Sequence, residues 1–290
     1  MSVTLDQPPI PRTPPLVRGF ARHRLGVAGL VVIAVVALFC FLGPLLDPTN
    51  QTQTNLVITN TAPSGAHLLG TDSNGFDILG RLMIGGRDSL EIGAAVAVLA
   101  TLFGVIWGAV AGFTGGILDA LMMRVVDVFL ALPAIFVLIY LATVLTPTVP
   151  LLIIVISLLS WLGPARLIRG ETLSLKTREY VESARAMGSG RTRIIFRHLI
   201  PNTIGTIVVN ATFQVADAII LLATLSFLGF GLAPPAVTWG GMLSQGTTYL
   251  LDGYWWEVYP VGLLIMLTVI AFNLVGDALR SAIDTRLRER

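Results

Sequence analysis

The stretch EYVESARAMGSGRTRIIFRHLIPN, residues 179–202, is a charged segment between two long apolar runs, and it decides how the chain is organised. In its first half, apolar and charged side chains recur at helical spacing on two different faces. The apolar set is Tyr180, Val181, Ala184 and Met187, and the charged set is Arg178, Glu182 and Arg185. Gly188 follows the last periodic residue, where a helix end favours positive φ, and Ser189 is placed to cap a second helix that runs toward Pro201. The segment predicts a helix, a sharp turn and a second helix.

The rest of the chain is unusually apolar. Of its 290 residues 54% are hydrophobic and only 12% are charged, and the mean hydropathy is +0.80. Such a balance is typical of a membrane protein, and about 20 helical residues suffice to cross the hydrocarbon core. We therefore expect an all-α polytopic membrane protein with six transmembrane helices. The uncharged runs that predict them are 25–46, 92–113, 128–145, 149–165, 198–216 and 258–276.

These spans predict the organisation of the chain. The expected segments are a flexible cytoplasmic tail at 1–24, a first transmembrane helix at 25–46, an external segment at 47–91, a transmembrane core at 92–280 and a cytoplasmic tail at 281–290. Within the core we expect a cytoplasmic loop at 166–202 and an external, aromatic-rich loop at 230–257.

Charge placement predicts the orientation. In the six-span arrangement seventeen of the nineteen Lys and Arg residues fall on one side, and only Arg81 and Arg87 fall on the other. The positive-inside rule then places both termini and the 179–202 loop in the cytoplasm, with the chain multi-pass in the plasma or inner membrane. The slight positive net charge reflects this topology, and no alternation of basic and aromatic residues points to nucleic acid.

Motifs for chemistry are scarce in this sequence. It has no phosphate-binding G-x-x-x-x-G-K-[ST] motif, and no nucleophile–base or acid–base pair can be assembled. His67, Asp72 and Asp77 are a weak metal candidate, because GTDSNG is more typical of a turn. The single cysteine, Cys40, is expected to pack as a small apolar residue. We predict no catalytic, cofactor or metal site, and we expect Arg124 and Asp127 to form an interfacial ion pair on one helix face.

One carboxylate falls inside a predicted span. Asp217 lies about a dozen residues beyond Pro201, and Gln214 lies one turn before it. Because a bare charge in lipid is costly, Asp217 is expected to face a protein interior or a watery path. Two interpretations stay open. Asp217 and Gln214 line a translocation pathway, or Asp217 pairs with a donor on another helix or subunit.

The 179–202 segment resembles a known family motif. It reads Glu182-Ser183-Ala184, three residues, Gly188, nine residues and His198-Leu199-Ile200-Pro201. This resembles the E-A-A-x3-G-x9-I-x-L-P loop of ATP-binding-cassette (ABC) importer permeases. The stretches HLLGTDSNGFDILGRLMIGGRDSL, MRVVDVFLALP, LSFLGFGLAPPAVTWGGML and AFNLVGDALRSAID look like signatures of the C-type permease subunit of dipeptide and oligopeptide importers. Together they extend the resemblance from His67 to Asp284.

The resemblance implies the type I ABC importer permease fold and a translocation pathway for peptides. It also implies a B-type permease partner, two cytoplasmic ATPase subunits that bind ATP and magnesium, and an external substrate-binding protein. This chain would itself be neither an enzyme nor a cofactor carrier. The residues expected to couple it to the ATPases are Tyr180, Val181, Glu182, Ala184, Arg185, Met187 and Gly188.

Three alternatives remain from the sequence. The same fold could carry a nickel chelate or glutathione instead of ordinary peptides. A gradient-driven secondary transporter would use Asp217 as its coupling carboxylate and would need no ATPase. A membrane-embedded enzyme is disfavoured because no pair of reacting groups can be assembled.

Overall fold

Helices account for most of the chain in this computed structural model, which describes residues 15–288 and the side-chain environments of residues 19–283. The helices are α1 Pro15–Arg22, α2 Arg24–Leu46, α3 Ile78–Thr114, α4 Gly116–Ala131, α5 Ala134–Val144, α6 Val149–Ser160, α7 Leu162–Leu175, α8 Glu179–Ala186, α9 Arg191–Ile194, α10 Ile204–Phe227, α11 Trp239–Tyr249 and α12 Tyr259–Arg288. Over the same residues the only extended pairing is a single bridge between Thr71 and Asp77. The predicted all-α class is confirmed.

The spans are of two kinds. Helices α2, α3, α10 and α12 are each long and apolar enough to cross a membrane, whereas two further candidates are bent pairs. Helices α4 and α5 meet at 82°, and α6 and α7 meet at 42°, so the count is six if each pair is one span. The first bend lies at Pro133, the N-cap residue of α5, which has no backbone N–H with which to continue α4.

Two helices begin at residues other than the predicted span starts. Helix α3 begins at Ile78 and not near 92, because the Asp77 side chain accepts a hydrogen bond from the Gly80 N–H and caps it there. The predicted external segment 47–91 is therefore partly helix. Helix α10 begins at Ile204 and not at 198, because π and 3-10 turns around Pro201 separate it from the preceding loop.

The predicted tails and the loop at 230–257 also contain regular structure. Helix α1 occupies part of the predicted tail 1–24 and packs against α12, while residues 1–14 lie outside the described residues. Helix α12 continues through most of the predicted tail 281–290, of which residues 289–290 are not described. The loop at 230–257 contains α11.

A stripe of glycines brings α3 and α7 into close contact. Gly104, Gly108 and Gly112 lie four residues apart on α3 and face the backbone of α7. A Cβ atom added at Gly108 would lie 2.3 Å from the carbonyl oxygen of Ala165, and one at Gly112 would lie 2.8 Å from that of Arg169. Small residues at this spacing let helix backbones approach in a membrane. The two helices therefore pack as one unit.

Ion pairs join α4 to α7. Arg169 Nε lies 2.6 Å from Asp119 Oδ1, and Arg166 Nη2 lies 2.5 Å from Asp127 Oδ1. The predicted pair of Arg124 with Asp127 is wrong, because the α4–α7 contact brings Arg166 to that carboxylate instead.

The segment before α3 folds over the end of the bundle that carries α11. The carboxylate of Asp72 accepts hydrogen bonds from the backbone N–H groups of Asn74 and Phe76, which confirms the predicted turn in GTDSNG. His67 contacts Asp77 at 2.8 Å, and Asp72 instead pairs with the buried Arg81 at 3.0 Å. Over residues 15–288 no three His, Cys, Asp or Glu side chains group as metal ligands would.

Candidate functional site

The segment from Glu179 to Asn202 has the predicted helix–turn–helix form. Gly188 has φ of 79°, and its N–H donates to the carbonyl of Arg185 at 2.9 Å. The N–H of Ser189 donates to the carbonyl of Ala184 at 3.0 Å, which completes a glycine-terminated helix end. The predicted capping role of Ser189 is wrong, because α9 begins after Gly190 without a side-chain cap. The sharp turn thus depends on the positive φ of Gly188 and on backbone hydrogen bonds.

The inner face of α8 belongs to the chain's own core. Val181 and Ala184 are 0% and 2% exposed. The apolar side chains in the same buried cluster come from α3, α7 and the segment after α8, and they are Val105, Ala109, Phe113, Ile168, Ile194, Ile195 and Leu199. The sequence grouped Val181 and Ala184 with Tyr180 and Met187 in one docking face. That grouping is corrected, because two of the four residues face inward.

The outer face of α8 is open. Tyr180 is 39% exposed and Met187 is 79% exposed, and the exposed Ser183 lies between them at helical spacing. The division of the predicted set into a buried face and an open face was missed, because periodicity shows which residues share a side of a helix but not what covers that side. Partial burial raises the pKa of the Tyr180 hydroxyl, and the positive charge of Arg178 offsets only part of this rise. The phenol is therefore a neutral hydrogen-bond donor at neutral pH.

Charges on α8 are arranged along its axis. Glu179 and Glu182 lie in the first turn and Arg185 lies in the last, which complements the helix dipole. The guanidinium of Arg185 also lies 5.0 Å from the ring centroid of Phe113 at the end of α3. Of the predicted coupling residues, Glu182 is exposed, whereas Arg185 contacts the ring of Phe113 on α3.

The two predicted pathway residues lie in different environments. Asp217 is exposed on α10 and forms no ion pair with any residue that the structure describes. It shares an open face of the helix with Ile220 and Phe227. Gln214 is buried, and its side-chain amide donates to the carbonyl of Ser160 at the bend between α6 and α7. Gln214 therefore does not share the open face that carries Asp217, because its amide satisfies a carbonyl at a helix break. Its assignment to the translocation pathway stays a prediction.

Two family models match this chain. Residues 104–289 match the model described as binding-protein-dependent transport system inner membrane component. Residues 16–63 match the model described as the N-terminal TM domain of oligopeptide transport permease C. The first of these contains α8 and the whole of the predicted coupling motif.

Curated relatives match over almost the full length. The chain is 36% identical to the dipeptide transport system permease protein DppC of Bacillus subtilis, over 98% of this chain and 89% of the relative. It is 39% identical to the oligopeptide transport system permease protein OppC of Bacillus subtilis, over 93% and 88%. It is 38% identical to OppC of Escherichia coli K12, over 93% and 90%.

A solved structure shares the fold. A chain of the MetNI methionine ABC transporter, in an inward-facing conformation, matches with a TM-score of 0.57 at 20% identity. The match covers 70% of this chain and 96% of that one. The chain therefore belongs to the inner-membrane permease components of binding-protein-dependent transport systems and, within them, to the C-type permease subunits of dipeptide and oligopeptide ABC importers.

Proposed function

We propose that α8 is the element through which this permease subunit receives force from partner ATPases. The observation that carries the proposal is the division of α8 into an open face, with Tyr180 and Met187, and a buried face, with Val181 and Ala184. A short helix with one face in its own core and an apolar, partly exposed face on the other side is suited to docking against a second protein. ATP and magnesium would be bound by that protein, since the sequence of this chain contains no phosphate loop.

The packing supports a mechanism for transmission. The buried face of α8 shares a cluster with Val105 of α3 and Ile168 of α7. Glycines hold α3 and α7 at close backbone distance, and packed interfaces of this kind move as units instead of deforming continuously. A displacement of α8 would therefore move α3 and α7 together and change access to the pathway between subunits.

Both the number of spans and the placement of charge support the proposed orientation. Residues 116–175 form two bent pairs, and the chain returns to the same side whether both pairs cross the membrane or neither does. The α3–α4 turn and the 176–203 segment are then on one side in either case. Because that side collects most of the Lys and Arg residues, we place it in the cytoplasm, and we place both termini there as well.

The pathway would form between this chain and a related B-type permease. The open face of α10 carries a carboxylate without a partner in the described residues, and such a group needs a subunit interface or water beside it. Peptides are the proposed cargo because relatives of 36–40% identity are named for dipeptide, oligopeptide or peptide transport. An external binding protein would deliver them.

Docking can be tested on the open face alone. Tyr180→Ala with Met187→Ala removes its apolar side chains while Val181 and Ala184 remain in the core. We expect ATPase subunits to be lost in pull-downs and substrate-stimulated ATP hydrolysis to fall at least tenfold, as expected when central contacts of an interface are removed. Ile117→Ala is the control, since Ile117 is 81% exposed near the same end of α3 but outside the loop. Full association of the double variant would refute the docking role.

Cargo is tested by competition. The assembled transporter in proteoliposomes should take up a labelled dipeptide or tripeptide, and an excess of unlabelled peptide should compete. A nickel chelate or glutathione that competes more strongly than any peptide would contradict the peptide assignment. Uptake by this chain without ATPases, driven by a proton gradient, would instead support the secondary transporter.

A further inference from the structure

A polar cavity lies beside α8, at the place where two spanning helices end. Its volume is about 520 Å³, within the range of small-molecule sites, and it opens between the ends of α3 and α7 and the turn after α8. Three cations line it, one from each of three segments: Lys176, Arg185 and Arg191. One carboxylate, Glu182, also lines it, so the lining carries an excess of positive charge.

The cations have few partners within the chain. The ammonium of Lys176 donates one hydrogen bond, to the carbonyl of Gly112 at 2.9 Å, and retains two further N–H groups. Arg185 lies over the ring of Phe113 and, like Arg191, forms no ion pair with a carboxylate among the residues that the structure describes. Cations that line one cavity and have no carboxylate partner favour an anionic ligand.

The position of the cavity relative to the membrane restricts the class of ligand that it could bind. Thr114 is the last residue of α3, and Lys176 follows the last residue of α7. Because both helices belong to candidate membrane spans, we expect the cavity to lie at the level of the lipid headgroups. Helix α4 starts two residues after Thr114 and exposes Ile117 and Leu118 beside this level. A polar cavity next to an exposed apolar helix matches a molecule with a charged head and acyl chains.

From these observations we propose that the cavity binds a phosphate oxyanion, of the kind that an anionic phospholipid presents at the membrane surface. Lys176 and Arg191 hold the oxygens, and Arg185 links the bound anion to α8. The ligand bridges the end of α7 and the start of α9, so binding stabilises the position of α8 relative to the spanning helices.

The test is lipid binding to the purified full-length permease, measured by native mass spectrometry without ATPases. Wild-type protein should retain phosphatidylglycerol in preference to phosphatidylcholine. Each basic residue near such a surface contributes about fivefold in affinity, so Lys176→Gln and Arg191→Gln should each weaken phosphatidylglycerol binding by about that factor. Arg193→Gln is the matched control, because Arg193 lies on α9 with Arg191 but does not line the cavity.

Further measurements distinguish a lipid from a soluble phosphate compound, and the cavity from a generally basic surface. Displacement of the lipid by millimolar sodium phosphate identifies a soluble phosphate compound as the source of the oxyanion, and persistence of the lipid identifies the bilayer. Unchanged binding in both cavity variants, or an equal loss in Arg193→Gln, overturns the site and indicates general attraction to a basic surface. If Lys176→Gln unfolds the protein through its bond to Gly112, the exposed Arg191→Gln decides alone. Since no ATPase is present, failure here leaves the docking role of α8 untouched.

Discussion

Arg169 holds Asp119 through two parallel contacts, Nε to Oδ1 at 2.6 Å and Nη2 to Oδ2 at 2.8 Å. The pair joins α7 to α4, and the Asp119 side chain is only 10% exposed. The neighbouring pair of Arg166 and Asp127 joins the same two helices, but its side chains are 52% and 46% exposed. The two ion pairs therefore connect the same helices but differ in how far they are buried.

Arg169→Ala should destabilise the chain by about 2–3 kcal/mol, because it leaves the carboxylate of Asp119 buried without a partner. Arg166→Ala should cost about 1 kcal/mol or less, since water replaces the lost partner. The measurement is unfolding in detergent micelles as denaturing detergent is added. Equal costs for the two substitutions would show that burial does not decide the strength of these pairs.

Gly108→Ala should separate α3 from α7. The new methyl group would lie 2.3 Å from the carbonyl oxygen of Ala165, and overpacking of this kind costs about 1–3 kcal/mol. Gly163→Ala is the control, since Gly163 lies on α7 with no atom within 4 Å of the added carbon. Alanine favours helix over glycine by about 1 kcal/mol, so the control should be neutral or stabilising in the same unfolding assay. A neutral Gly108→Ala would refute the close approach of these helices.

Gly188→Ala should loosen the turn after α8. Its φ of 79° costs an L-residue about 1 kcal/mol, although open space surrounds the position. Gly190→Ala makes the same chemical change at φ of −65°, also in open space, and should have a smaller effect. Hydrogen exchange of the α8 backbone amides is the measurement. Faster exchange in both variants alike would show that positive φ is not the constraint.

Asp217→Asn should leave the unfolding of this chain unchanged, because Asp217 has no ion-pair partner among the described residues. If the side chain faces the pathway, transport or its pH dependence should change while the subunits still assemble. Asp252→Asn is the control, at an exposed turn before α12. Loss of assembly without any change in transport per assembled complex would assign Asp217 to the subunit interface.

Cysteine labelling should confirm the orientation. In a Cys40→Ala background, Thr192→Cys should react with impermeant thiol reagents only from the cytoplasmic side. Leu251→Cys, at a position that is 98% exposed, should react only from outside. The reverse pattern would contradict the assignment from positive charge.

The sequence predicted the class of fold and the form of the 179–202 segment because both depend on local patterns. Long apolar runs require spanning helices, and Gly188 has a backbone conformation that few other residues adopt. The start of α3 was missed because the side chain of Asp77 caps the helix in a polar stretch that the apolar run does not include. Pro133 was a local signal for the bend between α4 and α5, but the prediction used only the length of the apolar run.

The candidate site was predicted less well than the fold. Val181 and Tyr180 are adjacent and both suit an apolar helix face, yet one packs against Val105 and Ile168 and the other does not. Their separation depends on contacts between residues distant in the chain, and no pattern within α8 contains that information. The same reason explains Gln214, whose partner Ser160 lies on another helix.

The division of α8 into a buried face and an open face has an evolutionary consequence. Substitutions at Val181 and Ala184 would be compensated within this polypeptide, at positions such as Val105 and Ile168, because those side chains belong to the same buried cluster. Substitutions at Tyr180 and Met187 would be compensated in another gene, if these side chains contact an ATPase. The eight-residue helix α8 and its C-cap residue should thus show two patterns of covariation, one within the chain and one between chains, alternating with the helical repeat.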